Sequence, residues 1–322
     1  MAALPEARLH PVPLTGLGAR ALEPVLEEVC EAWERRLHWN YRDTAELIRS
    51  YTEMRALEGV ALVDGGVVAG YCYWIHEGAK TLIGDFFVRR AWQSAEHENL
   101  LLRAALRALR KGGRAWSGAR RVEAQLMQLA TRSSALLPGG PRPAAYPRLF
   151  MLRPTVVELP PARAAWRRDL EFRPWSMRWC DRAAALITEA YDSHIDSEIN
   201  DQYRSHEGSA RFVQNIVQYP GCGVFLPGAS VVAANRAGEL VGLAMATRVA
   251  PHTGHLAQLC LDAAWRGSGL GFELLRRIVG GLRDAGIREV SLTVTEQNTR
   301  AVTLYERTGF HAIHRFDALV WE

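Results

Sequence analysis

Six consecutive residues, Arg266-Gly267-Ser268-Gly269-Leu270-Gly271, have the types and spacing to hold a phosphate. Leu256–Leu261 before them reads as a strand and Asp262–Trp265 as a turn. After them Leu274, Leu275, Ile278 and Leu282 fall at helical spacing, so the loop opens a helix. The backbone amides of a first helical turn have no partner inside the helix, and with the dipole they form an anion site. Glycines let the backbone take positive φ and approach a ligand closely. The loop therefore suits a pyrophosphate. It lacks the Gly-Lys-Ser/Thr ending of a P-loop, and its glycines are not spaced Gly-x-Gly-x-x-Gly, which leaves a Rossmann reading weak.

A second segment follows at once. Val290, Leu292 and Val294 alternate as a half-buried strand, Asn298 stands where a helix N-cap belongs, and Gly309 where a C-cap glycine belongs, before Phe310. Ala301, Leu304 and Tyr305 lie on the intervening helix.

The elements around the loop occur twice. Phe87-Val88-Arg89-Arg90-Ala91-Trp92-Gln93 matches Cys260-Leu261-Asp262-Ala263-Ala264-Trp265-Arg266 at an offset of 173 residues (265 − 92). Each copy leaves a strand, passes an Ala-Trp pair and enters a leucine-rich helix, carried in the first half by Leu101, Leu102, Ala105, Leu106 and Leu109. Upstream, Val60–Val63 and Val67–Ile75 around Gly65-Gly66 form one expected hairpin; Ser230–Ala234 and Leu240–Val249 around Asn235–Gly238 form the other. Each half opens with an extended stretch and a helix: Arg8–Leu14 before Glu23–Arg36, and Leu170–Trp179 before Asp181–His194. The proline- and arginine-bearing stretch Pro154–Asp169 reads as the connector, and Pro138–Pro143 as a loop within the first half. A duplicated α/β domain is expected, spanning 1–155 and 170–322.

Bulk properties bound the rest. A chain of 322 residues accommodates two domains, and 48% apolar with 23% charged residues is a globular balance. A net charge of +4 with scattered arginines permits an anionic small ligand and argues against nucleic acid. Five well-separated cysteines with no Cys-x-x-Cys pair read as reduced thiols of a cytoplasmic protein. The start of the chain does not read as a signal peptide, no apolar run reaches membrane-span length, and no His/Cys/Asp cluster has metal-ligand spacing. A homodimer stays open.

The loop resembles the diagnostic Gln/Arg-x-x-Gly-x-Gly/Ala pattern of the GNAT acetyltransferase superfamily, filled by Arg266, Gly269 and Gly271, and the Val290–Phe310 segment resembles that family's second signature. The resemblance covers about 150 residues of the second half. It implies two tandem domains, each a mixed, mostly antiparallel sheet flanked by helices, and transfer of an acetyl group from acetyl-CoA to a small-molecule or peptide amine by direct attack. It implies that Arg266, Gly267, Ser268, Gly269, Leu270 and Gly271 hold the pyrophosphate. Leu259, Cys260 and Leu261 carry the pantetheine, with the amide near Leu261 polarising the thioester carbonyl. Asn298 touches the pantetheine arm and Tyr305 protonates the departing thiolate. Many family members place a carboxylate base on the strand before the loop, but the sequence there is Ala257-Gln258-Leu259. The base is then His255, a water, or a group of the loop His194–Asp201, whose region also carries Asp192, Asp196, Glu198 and Asp201. Arg276 and Arg277 are either ligands of the CoA 3′-phosphate or part of a solvated helix face. Rival readings are another acyl or aminoacyl transferase, a non-catalytic acyl-CoA-binding module and a purely structural interaction protein.

The first half acts as a control. At the same offset Gly267, Gly269 and Gly271 become Ser94, Glu96 and Glu98, and Arg266 becomes Gln93. Carboxylates at a helix N-terminus occupy the dipole and repel a pyrophosphate. The first half also lacks the second signature after its expected strand Arg121–Leu129. It is expected to keep the fold without the cofactor, with Trp33, Trp39, Tyr41, Tyr71, Tyr73 and Trp74 as core or as a wall of the acceptor site.

Overall fold

A computed structural model describes residues 9–78, 80–110, 121–161 and 169–322. The connector residues Arg163, Arg167 and Arg168 and the first eight residues lie outside the described residues. The chain forms two compact units.

The first unit comprises β1 (His10–Pro13), α1 (Ala19–Leu37), α2 (Arg42–Glu53), β2 (Gly59–Asp64), β3 (Val67–Glu77), β4 (Lys80–Val88), α3 (Ala95–Arg110) and β5 (Arg121–Gln125). The strands pair in that order, antiparallel except for the parallel β4–β5 pair. Apolar side chains on α1 (Leu22, Val25, Leu26, Val29) and α2 (Ala45, Ile48) cover one sheet face. On α3, Leu101, Leu102, Ala105, Leu106 and Leu109 cover the other, as the helical spacing predicts. Of the aromatic set, Trp39, Tyr41, Tyr71 and Trp74 are core residues, and Trp33 stacks on Tyr41 with ring centroids 4.7 Å apart.

The second unit comprises β6 (Ala144–Pro154, from Arg148 on), β7 (Leu170–Pro174), α4 (Cys180–Ala190), α5 (Ile195–Ile199), α6 (His206–Gln218), β8 (Val224–Phe225), β9 (Val231–Asn235), β10 (Leu240–Ala250), β11 (Thr253–Leu261), α7 (Leu270–Asp284), β12 (Glu289–Thr295), α8 (Thr299–Arg307) and the start of β13 (His311–Trp321). The strand order is β6-β12-β11-β10-β9-β7, with only β11–β12 parallel. One face packs on α7 through Leu274, Leu275, Ile278 and Leu282, the other on α4 and α6 through Ala183, Ile187, Val213 and Ile216. Both units are the mixed, mostly antiparallel sheets flanked by helices that the family resemblance implies.

The division of the chain differs from a simple cut in the connector. Residues 148–154 pair along β12 in the second unit, while Phe316–Glu322 belong to the first. There Ala318–Trp321 lie antiparallel to β5, with Leu319 and Trp321 in its core and the Trp321 indole donating to Pro141 O at 3.2 Å. Each sheet thus fills its last place with a strand from the other half of the sequence, which propensity has no means of showing. Two element ends also fall short of expectation. The helix expected over Asp181–His194 stops at Ala190, because Ser193 turns back at φ 55°; the strand expected to Leu129 stops at Gln125.

The charge reading of the first half has a structural counterpart. Glu98 is 1% exposed, and its carboxylate accepts hydrogen bonds from the amides of Ala130 (2.9 Å) and Thr131 (2.7 Å). The position that is Gly271 in the second half is here a structural anchor. Glu98→Ala removes both bonds from a buried site, and urea denaturation is expected to show a loss of about 2–3 kcal/mol.

Candidate active site

The second unit opens a gap between its two parallel strands. β11 and β12 pair only at Thr253/Glu289, Gly254/Val290 and His255/Ser291, although β11 runs on to Leu261 and β12 to Thr295. The divergence has a local cause. Against β10, Ala246 faces Leu256 and Met245 faces Gln258, so Ala257 is an extra residue, a bulge that bends its strand. Past the bulge, Cys260 packs towards α4 and α6, while Leu259 and Leu261 pack towards α7 and α8. The backbone edge of Leu259–Leu261 is thereby left facing the gap. The first unit has the same bulge, at Gly84, and there too β4 runs on to Val88 past its last pair with β5, Ile83/Ala124; the difference is that β5 ends one residue later, at Gln125.

The glycine loop ends at this gap. Gly267 (φ 83°) and Gly269 (φ 88°) occupy the left-handed region, which explains glycine at both places. Gly269 caps α7 without a side-chain bond, and Ser268 Oγ donates to Trp265 O (2.7 Å) while accepting from the Leu270 amide (3.3 Å). The first-turn amides of α7 beyond Leu270 are left to a ligand or solvent. Leu270 itself is a core residue, and Trp265 packs against the same cluster. The Arg266 guanidinium turns away from the loop and donates to Ala190 O at the end of α4 (2.7 Å), so Arg266 offers the loop its backbone. Arg276 and Arg277, still partly exposed on α7, both hold Glu273, 1% exposed, at 2.7–2.8 Å. A cation the sequence analysis missed is Arg300, whose Nη2 lies 3.2 Å from where a Cβ on Gly267 would stand. Its only sequence signal is its place in the first turn of α8, two residues after Asn298.

Asn298 caps α8, its Oδ1 accepting from the Ala301 amide (3.2 Å), and its Nδ2 lies 3.3 Å from His194 Nε2. His194 and Asp196 continue this chain, and Asp196 accepts from Thr295 Oγ1 at the tip of β12. Of the acidic set, Asp196 is thus turned inwards, Glu198 pairs with Arg204 at 3.0 Å, and Asp192 is exposed. Tyr305 is 8% exposed and sits edge-on to Phe310, centroids 5.7 Å apart. Burial, seconded by the Asp196 charge, raises its pKa.

His255 stands at the last paired position, before the gap. Its Nδ1 is 2.9 Å from Ser291 Oγ, which itself donates to Gly254 O (3.2 Å), so the imidazole holds its proton on Nδ1 and a lone pair on Nε2. Phe150 lies over the ring, 6.0 Å between centroids. Burial, with the Arg148 charge second, lowers its pKa from 6.5 to about 4. The ring is neutral at physiological pH and a weak base. Between about pH 4 and 6.5 the unfolded chain binds a proton at this site that the folded one refuses, so stability falls as pH drops through that window. An NMR titration is expected to place the His255 midpoint near pH 4, and Arg148→Ala to raise it.

Gln258, just past the bulge, stands where Asp85 stands in the first unit (258 − 85 = 173). Tyr191, stacked on Tyr203 at 4.2 Å, donates to Gln258 Oε1 at 3.2 Å. Tyr41 donates in the same way to Asp85 at 2.9 Å.

The profile of the Acetyltransferase (GNAT) family matches residues 189–310, the stretch from the end of α4 to Phe310. Mycothiol acetyltransferase of Geodermatophilus obscurus is 47% identical over 62 residues, 19% of this chain and 20% of that protein. An uncharacterised N-acetyltransferase of Mycobacterium bovis is 29% identical over 126 residues, 39% of this chain and 70% of that protein. These matches therefore span from about a fifth to under three quarters of the relatives' lengths. Among solved structures, a GCN5-related N-acetyltransferase from Sphaerobacter thermophilus has the same fold at TM-score 0.67 and 20% identity, covering 99% of this chain and 97% of that one. A tandem GNAT protein from the clavulanic acid biosynthesis pathway does so at TM-score 0.65 and 16% identity, covering 98% of each. Residues 189–310 thus match the Acetyltransferase (GNAT) family, and the chain as a whole has the fold of tandem GNAT structures.

Proposed function

We propose that this protein is an acyl-CoA-dependent N-acetyltransferase that transfers the acetyl group of acetyl-CoA to an amine, with one cofactor site per chain, in the second unit. The observation that carries the proposal is the coincidence of the strand gap with the uncapped, glycine-led N-terminus of α7. Acetyl-CoA fits what is there. The amides of Gly269–Gly271 and the Arg300 guanidinium suit its pyrophosphate, and the open edge of Leu259–Leu261 suits the amide-bearing pantetheine arm. When bound it supplies an activated thioester carbonyl.

Transfer forms a C–N bond, breaks the C–S bond and releases one proton from the amine while the sulfur gains one. The Leu261 amide, on the gap edge, is the donor for the oxyanion. A phenol with its pKa raised above 10 holds its proton more tightly than a thiol of pKa about 8.5. Tyr305 therefore stabilises the nascent thiolate by donating a hydrogen bond, and the thiol is completed by the proton the amine gives up. His255 Nε2 takes up that proton only transiently, directly or through water, and passes it on to the sulfur. A ring of pKa about 4 is a weak base, so the amine must arrive largely as its free base, at a cost of about 4 kcal/mol for an amine of pKa near 10. The acceptor is a small-molecule or peptide amine. The five cysteines, all unpaired, suit a reducing, cytoplasmic setting. No helix among the described residues is long and apolar enough to cross a membrane, and no metal-binding cluster occurs among them.

Calorimetry with acetyl-CoA, followed by a panel of amines read by release of free thiol, tests the proposal. Binding in a one-to-one ratio and thiol release dependent on an amine are expected; binding without turnover on any amine would leave an acyl-CoA-binding module.

A further inference from the structure

Gln258 carries more than the absence of a base. It is 5% exposed, and while Oε1 accepts from Tyr191, Nε2 is buried and has no hydrogen-bond partner among the described residues. A buried donor left unmade carries its full desolvation cost, so its retention in a native site calls for a partner that the folded chain does not supply. The first unit provides the comparison. Asp85, at the equivalent place, accepts from Tyr41, Tyr71 and the Phe86 amide, and is satisfied within the protein. At this position the first unit satisfies its side chain. The second unit leaves the Gln258 donor open, just past the bulge where β11 parts from β12.

We infer that Gln258 is a specificity-determining residue for the acceptor: its Nε2 donates to a carbonyl or carboxylate oxygen borne by the amine three bonds from the attacking nitrogen. The favoured acceptors are then amino acids or aminoacyl amides, not simple alkylamines. This rests on the acetyltransferase reading above. A carboxamide does not accept a proton at neutral pH, so Gln258 binds the acceptor and leaves deprotonation to another group. The Tyr191–Tyr203 stack fixes Oε1 and with it the direction of Nε2.

The test compares glycinamide with ethylamine as acceptors for the full chain with acetyl-CoA, with rates expressed per concentration of free amine to remove their difference in basicity. The wild type is expected to favour glycinamide by about tenfold in kcat/KM, the scale of one directed hydrogen bond. Gln258→Leu is expected to bring the ratio to about one through the KM for glycinamide, with acetyl-CoA affinity unchanged. Gln258→Glu keeps the acceptor for Tyr191 and lacks the donor; it is expected to lose the preference too, and it serves if the leucine variant does not fold. A wild type indifferent to the two amines, variants that keep the preference, or a loss of acetyl-CoA affinity in both variants would overturn the assignment, the last placing Nε2 on the donor. If acetyl-CoA neither binds nor reacts, the acetyltransferase reading fails on its own. Saturation-transfer NMR of glycinamide against ethylamine then decides Gln258: binding selective for glycinamide and lost in Gln258→Glu upholds it, and its absence overturns it.

Discussion

Gly271→Glu is expected to weaken acetyl-CoA binding at least a hundredfold while leaving the fold intact. The substitution gives the second unit the residue that the first carries as Glu98. A carboxylate about 5 Å from a pyrophosphate charge costs about 3 kcal/mol at an effective dielectric constant near 20, which is more than two decades in affinity. Sterics are a smaller term. A Cβ at Gly271 meets only Leu261 Cδ1 at 3.4 Å and Leu304 Cδ2 at 3.6 Å, ordinary contacts, and Gly271 is not a positive-φ glycine. Gly271→Ala is accordingly expected to stay within about a factor of three of the wild type, less than 1 kcal/mol. Calorimetry on the two variants separates charge from shape. Equal losses in both would mean that backbone approach, and not the field at the helix N-terminus, limits binding.

Tyr305→Phe is expected to lower kcat about a hundredfold, the range for loss of one positioned donor to developing charge, with acetyl-CoA affinity nearly unchanged. The aromatic ring that packs edge-on to Phe310 is retained, so stability is expected to hold. Because burial and Asp196 keep the phenol protonated, no alkaline limb in the pH–rate profile below about pH 10 belongs to Tyr305. Unchanged kcat in the variant would reduce Tyr305 to a core aromatic and leave the thiolate to solvent.

Much of this site is legible in the sequence because its parts are local. A glycine that must take positive φ, a helix that must begin, and a strand that must alternate each leave their mark within a few residues. The Arg266–Gly271 loop, Asn298 as N-cap and the duplication at offset 173 are of this kind. The side-chain roles are less local. Arg266 looks like a loop ligand and instead reaches Ala190; Arg300 looks like a solvated helix residue and lies against Gly267. Both depend on which segments of the folded chain come together.

The sequence by itself determined the fold class, the twofold repeat, the glycine-rich helix start of the second half and its replacement by charge in the first, since charge against glycine at one helix start needs no third dimension to be read. Only the tertiary structure decided that each sheet takes a strand from the other half of the chain, that the Ala257 bulge parts β11 from β12, and that Gln258 is left with a buried donor at the parting. Strand pairing and hydrogen-bond satisfaction are settled between residues far apart in sequence, where no periodicity carries the information.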